Sequence, residues 1–274
     1  MSAILTFARK EFRDGLRNKW VAGATVILAA LAFALTFVGS APTGMLDVSP
    51  LAVSVVSISS LTIFLIPLIA FLLGYDAIVG EAERGCLLLT LTYPVTRMEI
   101  LLGKFLGHAA IIAVATLIGY GAAGAASAWS SNPDAESWRA FAGLLLSSIL
   151  LGLAFLAIAY FVSVVVSERS TAAGISVGLW LLFVIVFDLA LMGMLVASKG
   201  GVGADLFPSL LLLNPADAYR LFNLSAFENV RKISGLGGLS ASAQFAPVTL
   251  LAALIAWIGI PLLGAIAIFN RREA

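Results

Sequence analysis

The chain has 274 residues, 61% of them hydrophobic and 11% charged, with a mean hydropathy of +1.06. So few charges cannot cover the exterior of a water-soluble body of this length, so lipid must be the solvent for much of the surface. The net charge of +1 excludes a nucleic-acid footprint, and a single cysteine (Cys86) and a single histidine (His108) exclude an intrachain disulfide and a Cys- or His-rich metal site.

Residues 1–20 read as an amphipathic interfacial helix. On a 3.6-residue wheel Ile4, Leu5, Ala8, Phe12, Leu16 and Trp20 share one face, and Lys10, Arg13, Asp14 and Arg17 lie opposite. A basic face with a Trp at its rim suits a helix lying on a membrane. The rest, 21–274, reads as a transmembrane domain. Crossing the hydrocarbon layer takes about 20 mostly apolar residues, and six segments qualify: 21–39, 55–75, 105–129, 141–166, 172–196 and 248–269. The predicted fold class is therefore an all-α membrane protein with six transmembrane helices. "VGSA" after the first segment faintly resembles a processing site, but the charged lead-in and the full-length apolar run favour a retained span.

Lys and Arg near the span ends set orientation. Eleven fall on one side: Arg9, Lys10, Arg13, Arg17, Lys19, Arg84, Arg97, Lys104, Arg169, Arg271 and Arg272. Five fall on the other: Arg139, Lys199, Arg220, Arg231 and Lys232. The richer side is read as cytoplasmic, with both termini there, as an even number of spans requires.

Of the outer loops, 40–54 and 130–139 are short, and the periplasmic loop 197–247 is by far the longest. In it Asn214 reads as a helix cap, Pro215 as the first helical residue and Asp217 as an acid at the positive helix end. Tyr219, Leu221 and Phe222 would form its apolar side. The loop's length favours a docking surface for an outer partner, built on Asn214, Pro215, Asp217, Tyr219, Arg220 and Phe222, over a helix resting on lipid. On the cytoplasmic side, the tight "SERS" turn at 167–170 can present only Glu168 and Arg169.

Several motifs resemble chemistry and have plainer readings. "GYGAAG" at 119–124 matches a dinucleotide fingerprint but lies mid-span, where small residues let helices approach closely, as do Gly103/Gly107 and Gly174/Gly178. "GISVG" at 174–178 raises an intramembrane hydrolase of Ser176 with His108, yet Asp188 lies twelve residues along the same helix, roughly 18 Å away, and cannot orient the base. Asp188 is an acid inside a span and so a candidate for a pathway, an ion pair or a structural hydrogen bond. Met192 and Met194, with Met45, make a weak soft-metal site and read as lipid-facing filler. No P-loop or catalytic cluster is present, so no catalytic residue, metal or cofactor is assigned to this chain.

The cytoplasmic segment 76–104 breaks the apolar pattern. Glu81, Glu83 and Arg84 precede a helix-breaking Gly85, followed by an apolar patch at 87–91, then Pro94, Thr96, Arg97 and Lys104. "TRME" at 96–99 is a capping box that restarts a helix. An acidic pair before Gly, an apolar patch, then Pro, a small polar residue and Arg, with a Lys near the next span, resembles the permease subunits of the ABC-2 transporter class. Cys86 stands where that class usually has Thr. With the amphipathic lead-in and the six-span plan, the resemblance covers the whole chain. The outer "NPADAYRL" is most similar to the permeases that serve maturation of nitrous oxide reductase.

The resemblance implies a homodimer in a bacterial inner membrane with two cytosolic ABC ATPase subunits, which supply the ATP and Mg chemistry. It implies ATPase coupling through Glu81, Glu83, Arg84, Gly85, Arg97, Glu168 and Arg169, and a periplasmic accessory protein (NosD-like) engaged in copper-site assembly. A sulfur species, copper or mechanical force alone are all compatible with it as what crosses the membrane. The alternative within the class is an exporter of a lipid-linked or peptide substrate, and outside it a membrane anchor for a periplasmic complex.

Overall fold

The computed structural model describes residues 3–17, 19–39, 50–130, 135–197, 206–225 and 245–271, and all regular structure among them is helical. The helices are α1 (Ala3–Leu16), α2 (Lys19–Gly39), α3 (Pro50–Gly74), α4 (Val79–Glu83), α5 (Cys86–Leu91), α6 (Arg97–Ser130) and α7 (Ala135–Val165). There follow α8 (Arg169–Leu181), a π-helical turn (Leu182–Val186), α9 (Phe187–Ala197), α10 (Leu206–Leu211), α11 (Pro215–Ser225) and α12 (Pro247–Arg271). Five helices among the described residues are long and apolar enough to cross a bilayer: Val55–Glu83, Arg97–Ala126, Ala135–Val165, Arg169–Ala197 and Pro247–Arg271. The expected first span coincides with α2, which is 21 residues long. The chain is thus an all-α, multi-pass membrane protein.

Helix α7 is the axis of the bundle. Its most apolar window is 72% buried, against 11% for the α8–α9 helix and 11% for α12, which leave most of their surface facing outward. An edge-to-face chain of rings, Phe71–Phe155–Phe183–Trp257, with centroids 5.5 to 5.8 Å apart, ties α3, α7, the π-helical turn and α12 together.

Helix α1 meets α6 along one edge. Leu5 and Leu16 are exposed, while Glu11 and Gly15 are buried along the side that meets α6. The reason is the pair Gly103 and Gly107. A Cβ at Gly103 would stand 2.8 Å from the Ile4 carbonyl, and one at Gly107 2.8 Å from that of Ala8, so the two backbones pack directly on one another. Gly124 likewise admits the Phe141 ring. Within the described chain nothing lies within 4 Å of a Cβ at Gly174 or Gly178.

The long loop is corrected more sharply. Its described part, α10 and α11, turns back into the bundle. The Trp257 indole donates to the Leu212 carbonyl at 3.1 Å, and the Tyr219 and Ser148 hydroxyls share a hydrogen bond of 3.1 Å. Trp257 and Ser148 lie well inside α12 and α7, so the start of α11 sits deep between the spans. Residues 198–205 and 226–244 of the loop, and Met45, lie outside the described residues.

Candidate functional site

Segment 76–104 folds much as its sequence dictates. Gly85 adopts φ +71°, which breaks the chain between α4 and α5. Thr96 N donates to Glu99 Oε2 at 2.8 Å while Glu99 N donates to Thr96 Oγ1 at 3.2 Å, a reciprocal capping box that starts α6. The N–H groups of Ile78 and Val79, the cap and first residue of α4, both donate to Ser163 Oγ from α7, at 3.0 and 3.1 Å. The start of α4 is thereby fixed to the central helix.

Within it the expected coupling residues divide. Glu81 was expected to face solvent with Glu83 and Arg84, but it turns inward. Lys104 Nζ, buried on α6, donates to Glu81 Oε1 at 2.8 Å and to Glu11 Oε1 of α1 at 2.6 Å. His108 lies beyond, its Nε2 3.6 Å from Glu11 Oε2 and its Nδ1 2.7 Å from the Tyr160 hydroxyl. Burial alone would push the Glu11 carboxyl up, but the Lys104 charge and hydrogen bond outweigh it and hold Glu11 below the usual carboxylate range.

Glu83 and Arg84 stay at the surface and meet the other expected coupling element. The Arg169 N–H, at the start of α8, donates to Glu83 Oε1 at 2.6 Å, where a carboxylate satisfies an orphan helix donor. Asp76 lies between, 2.9 Å from Arg169 Nε and 3.8 Å from Arg84. Gly80 is required here because a Cβ would collide with the Asp76 carboxylate. Glu168 keeps to its own turn, accepting from Thr171 Oγ1 at 3.2 Å. Arg97 serves elsewhere: its guanidinium donates to the Phe269 carbonyl at 3.2 Å and lies 5.5 Å from the ring centroid, joining α6 to the end of α12.

At the other end, the six expected docking residues do not form an outer face. Asn214, Asp217 and Tyr219 are 0%, 2% and 0% exposed, Pro215 is buried, and Arg220 and Phe222 are half-buried. Asn214 Oδ1 accepts from Ala216 N at 2.9 Å, the expected cap, while Asn214 Nδ2 donates to the Phe183 carbonyl at 2.8 Å in the π-helical turn. Arg220 bridges Asp217 and Asp188, each at 2.9 Å. Asp188 therefore has a cation from α11 as its partner. The physical reason for the correction is that these polar side chains complement one another inside the bundle, so burial leaves them satisfied.

No nucleophile and base come together. Ser176 Oγ is buried with no hydrogen-bond partner among the described residues, and His108 is engaged by Tyr160 and Glu11. Met192 is 64% exposed and Met194 also points outward, and no metal-ligand cluster occurs among the described residues. Glu11, Asp76 and Ser163 were missed in the sequence. Only Glu11 left a signal, an acid on the side of the lead-in helix that must meet the glycines.

A family model described as "ABC-2 family transporter protein" matches residues 5–274. A Stutzerimonas stutzeri protein, "Probable ABC transporter permease protein NosY", is 48% identical over 274 residues, covering 99% of each chain. A Pseudomonas aeruginosa protein of the same name is 47% identical over 278 residues, again covering 99% of each.

Proposed function

Because the chain belongs to the ABC-2 family of transporter proteins and is a permease subunit of an ABC transporter, we propose that it works as a homodimer driven by two cytosolic ABC ATPase subunits. The end carrying α1, α4, α5 and both termini faces the cytoplasm of a bacterial inner membrane. ATP and Mg are bound and turned over in the partner ATPase, and this chain relays the motion. Its role in this reading is maturation of the copper sites of nitrous oxide reductase, which the NosY name of both relatives supports. The periplasmic accessory protein (NosD-like) would meet the outer end of α11 and the rest of 197–247.

The observation that carries this reading is the bond from Arg169 N to Glu83, reinforced by Asp76, which makes segment 76–104 and the 167–169 turn one lever. A push on the lever is delivered to the foot of α8. From α8 it passes to the π-helical turn, whose Phe183 carbonyl holds Asn214, and so to α11. The relay needs no pore.

Charge reversal at the lever tests this. In Glu83→Lys the complex with the ATPase should still assemble, while copper in the co-produced reductase falls about tenfold or more, a coupling loss of ~1.4 kcal/mol or above. Reductase loaded with copper at the unaltered level would overturn the proposal.

A further inference from the structure

Between α2 and α3, roofed by α1 and α4, lies a cleft of about 980 Å³. Its two ends differ in chemistry. The end near the lever is lined by four carboxylates and four cations, among them Asp14, Lys19, Arg84 and Arg169 on the exposed rim. The walls then become apolar: Gly23 and Ile27 on α2, Leu65, Ile69 and Leu72 on α3. From Lys19 to Ile27 is eight residues, about 12 Å of helical rise directed into the hydrocarbon layer. The charged end therefore lies at headgroup level and the apolar end within one leaflet. The volume is at the upper end of the roughly 300–1,000 Å³ of ligand sites.

We propose that this cleft holds a single phospholipid of the leaflet at the lever end, an amine-headed zwitterion of the phosphatidylethanolamine type. Its phosphate meets the rim cation Lys19, its ammonium the rim carboxylate Asp14, and its tails lie along α2 and α3. The even balance of charge suits such a headgroup: with Lys104 held by Glu11 and Glu81, and Arg84 and Arg169 by Asp76, the cleft offers an anionic or a cationic ligand no net opposite charge. The apolar walls select a lipid over a free phosphate compound. Lys19 has no ion-pair partner among the described residues, so a cation at the rim is available. A bound lipid would touch α1, α3 and the lever at once, making the lever's position sensitive to the bilayer.

Gly23 offers a test that spares the fold, since a Cβ there meets nothing within 4 Å. The full chain, purified in mild detergent, is titrated with phosphatidylethanolamine and examined by native mass spectrometry. One lipid per chain should be retained, and Gly23→Phe, which fills the cleft, should lower its occupancy about tenfold, as should Lys19→Glu. Gly259→Phe on α12, equally open at the Cβ, should not. Glycerophosphoethanolamine, the headgroup without tails, should fail to displace the lipid. Unchanged occupancy in both Gly23→Phe and Lys19→Glu would overturn the proposal, as would displacement by the headgroup alone. Loss of self-association in Gly23→Phe with lipid retained would also overturn it, assigning the cleft to a contact between copies.

Discussion

Lys104 carries one positive charge into a space shared by two carboxylates and a histidine, with only 4% of its side chain exposed. Removing it leaves Glu81 without its cation and Glu11 with only Lys10, 3.3 Å away and largely exposed. Lys104→Met should destabilise the bundle by about 3 kcal/mol, in the range for breaking a buried pair. Adding Glu11→Gln to that variant should recover part of the loss, which thermal unfolding in detergent would read. The same contact fixes a pH dependence. Glu11 is held below its ordinary 4.5, so its contribution is fully present above about pH 4.5 and is lost as pH falls through the lower folded value. Hydrogen-exchange protection of α1, taken relative to the intrinsic rate at each pH, should therefore fall as the pH drops below that value, and a Glu11→Gln chain should not show the step. Little of this was legible in the sequence. Lys104 stood out as a charge near a span, but Glu81 and Glu11 are 23 and 93 residues away, and one chain's periodicity says nothing about partners at such separations.

Elements were more legible than their contacts. The capping box at Thr96–Glu99 and the break at Gly85 rest on interactions within four residues, and both stand where the sequence puts them. The glycine pair at 103 and 107 announced close packing but not what would pack. The partner is the lead-in helix: α1 turns its Glu11 edge to α6 and leaves Leu5 outside. This contact yields a contrast between two glycine pairs. Gly107→Ala places a methyl 2.8 Å from the Ala8 carbonyl, backbone that cannot step aside, and should cost about 1–3 kcal/mol despite alanine's better helix propensity. A cysteine placed at exposed Leu5 would then label faster. Gly174→Ala, with nothing within 4 Å, should be neutral or gain up to about 1 kcal/mol in the unfolding of the single chain.

At the scale of the whole molecule, hydropathy located the spans because the bilayer demands apolar length, and it misplaced α11 because that helix is polar. "NPADAYRLFNL" has the composition of a surface helix, yet its polar atoms meet Ser147, Ser148, Asp188 and the Phe183 carbonyl. Arg220 holds this arrangement together. Arg220→Met should leave Asp217 buried without its cation and destabilise the fold by on the order of 2–3 kcal/mol, less than a fully buried pair because Arg220 is a third exposed. Protease cleavage of the 206–225 hairpin in membranes would report the loosening. The π-helical turn at Leu182–Val186 fits one more residue into the helix than an α-helical turn would hold. It therefore takes up a residue that would otherwise turn the upper half of the span by about 100°. Deleting a single residue within it would restore the regular winding and leave everything above nearly in phase, so Asp188 should stay against Arg220 and the foot of the helix should keep its grip on Glu83.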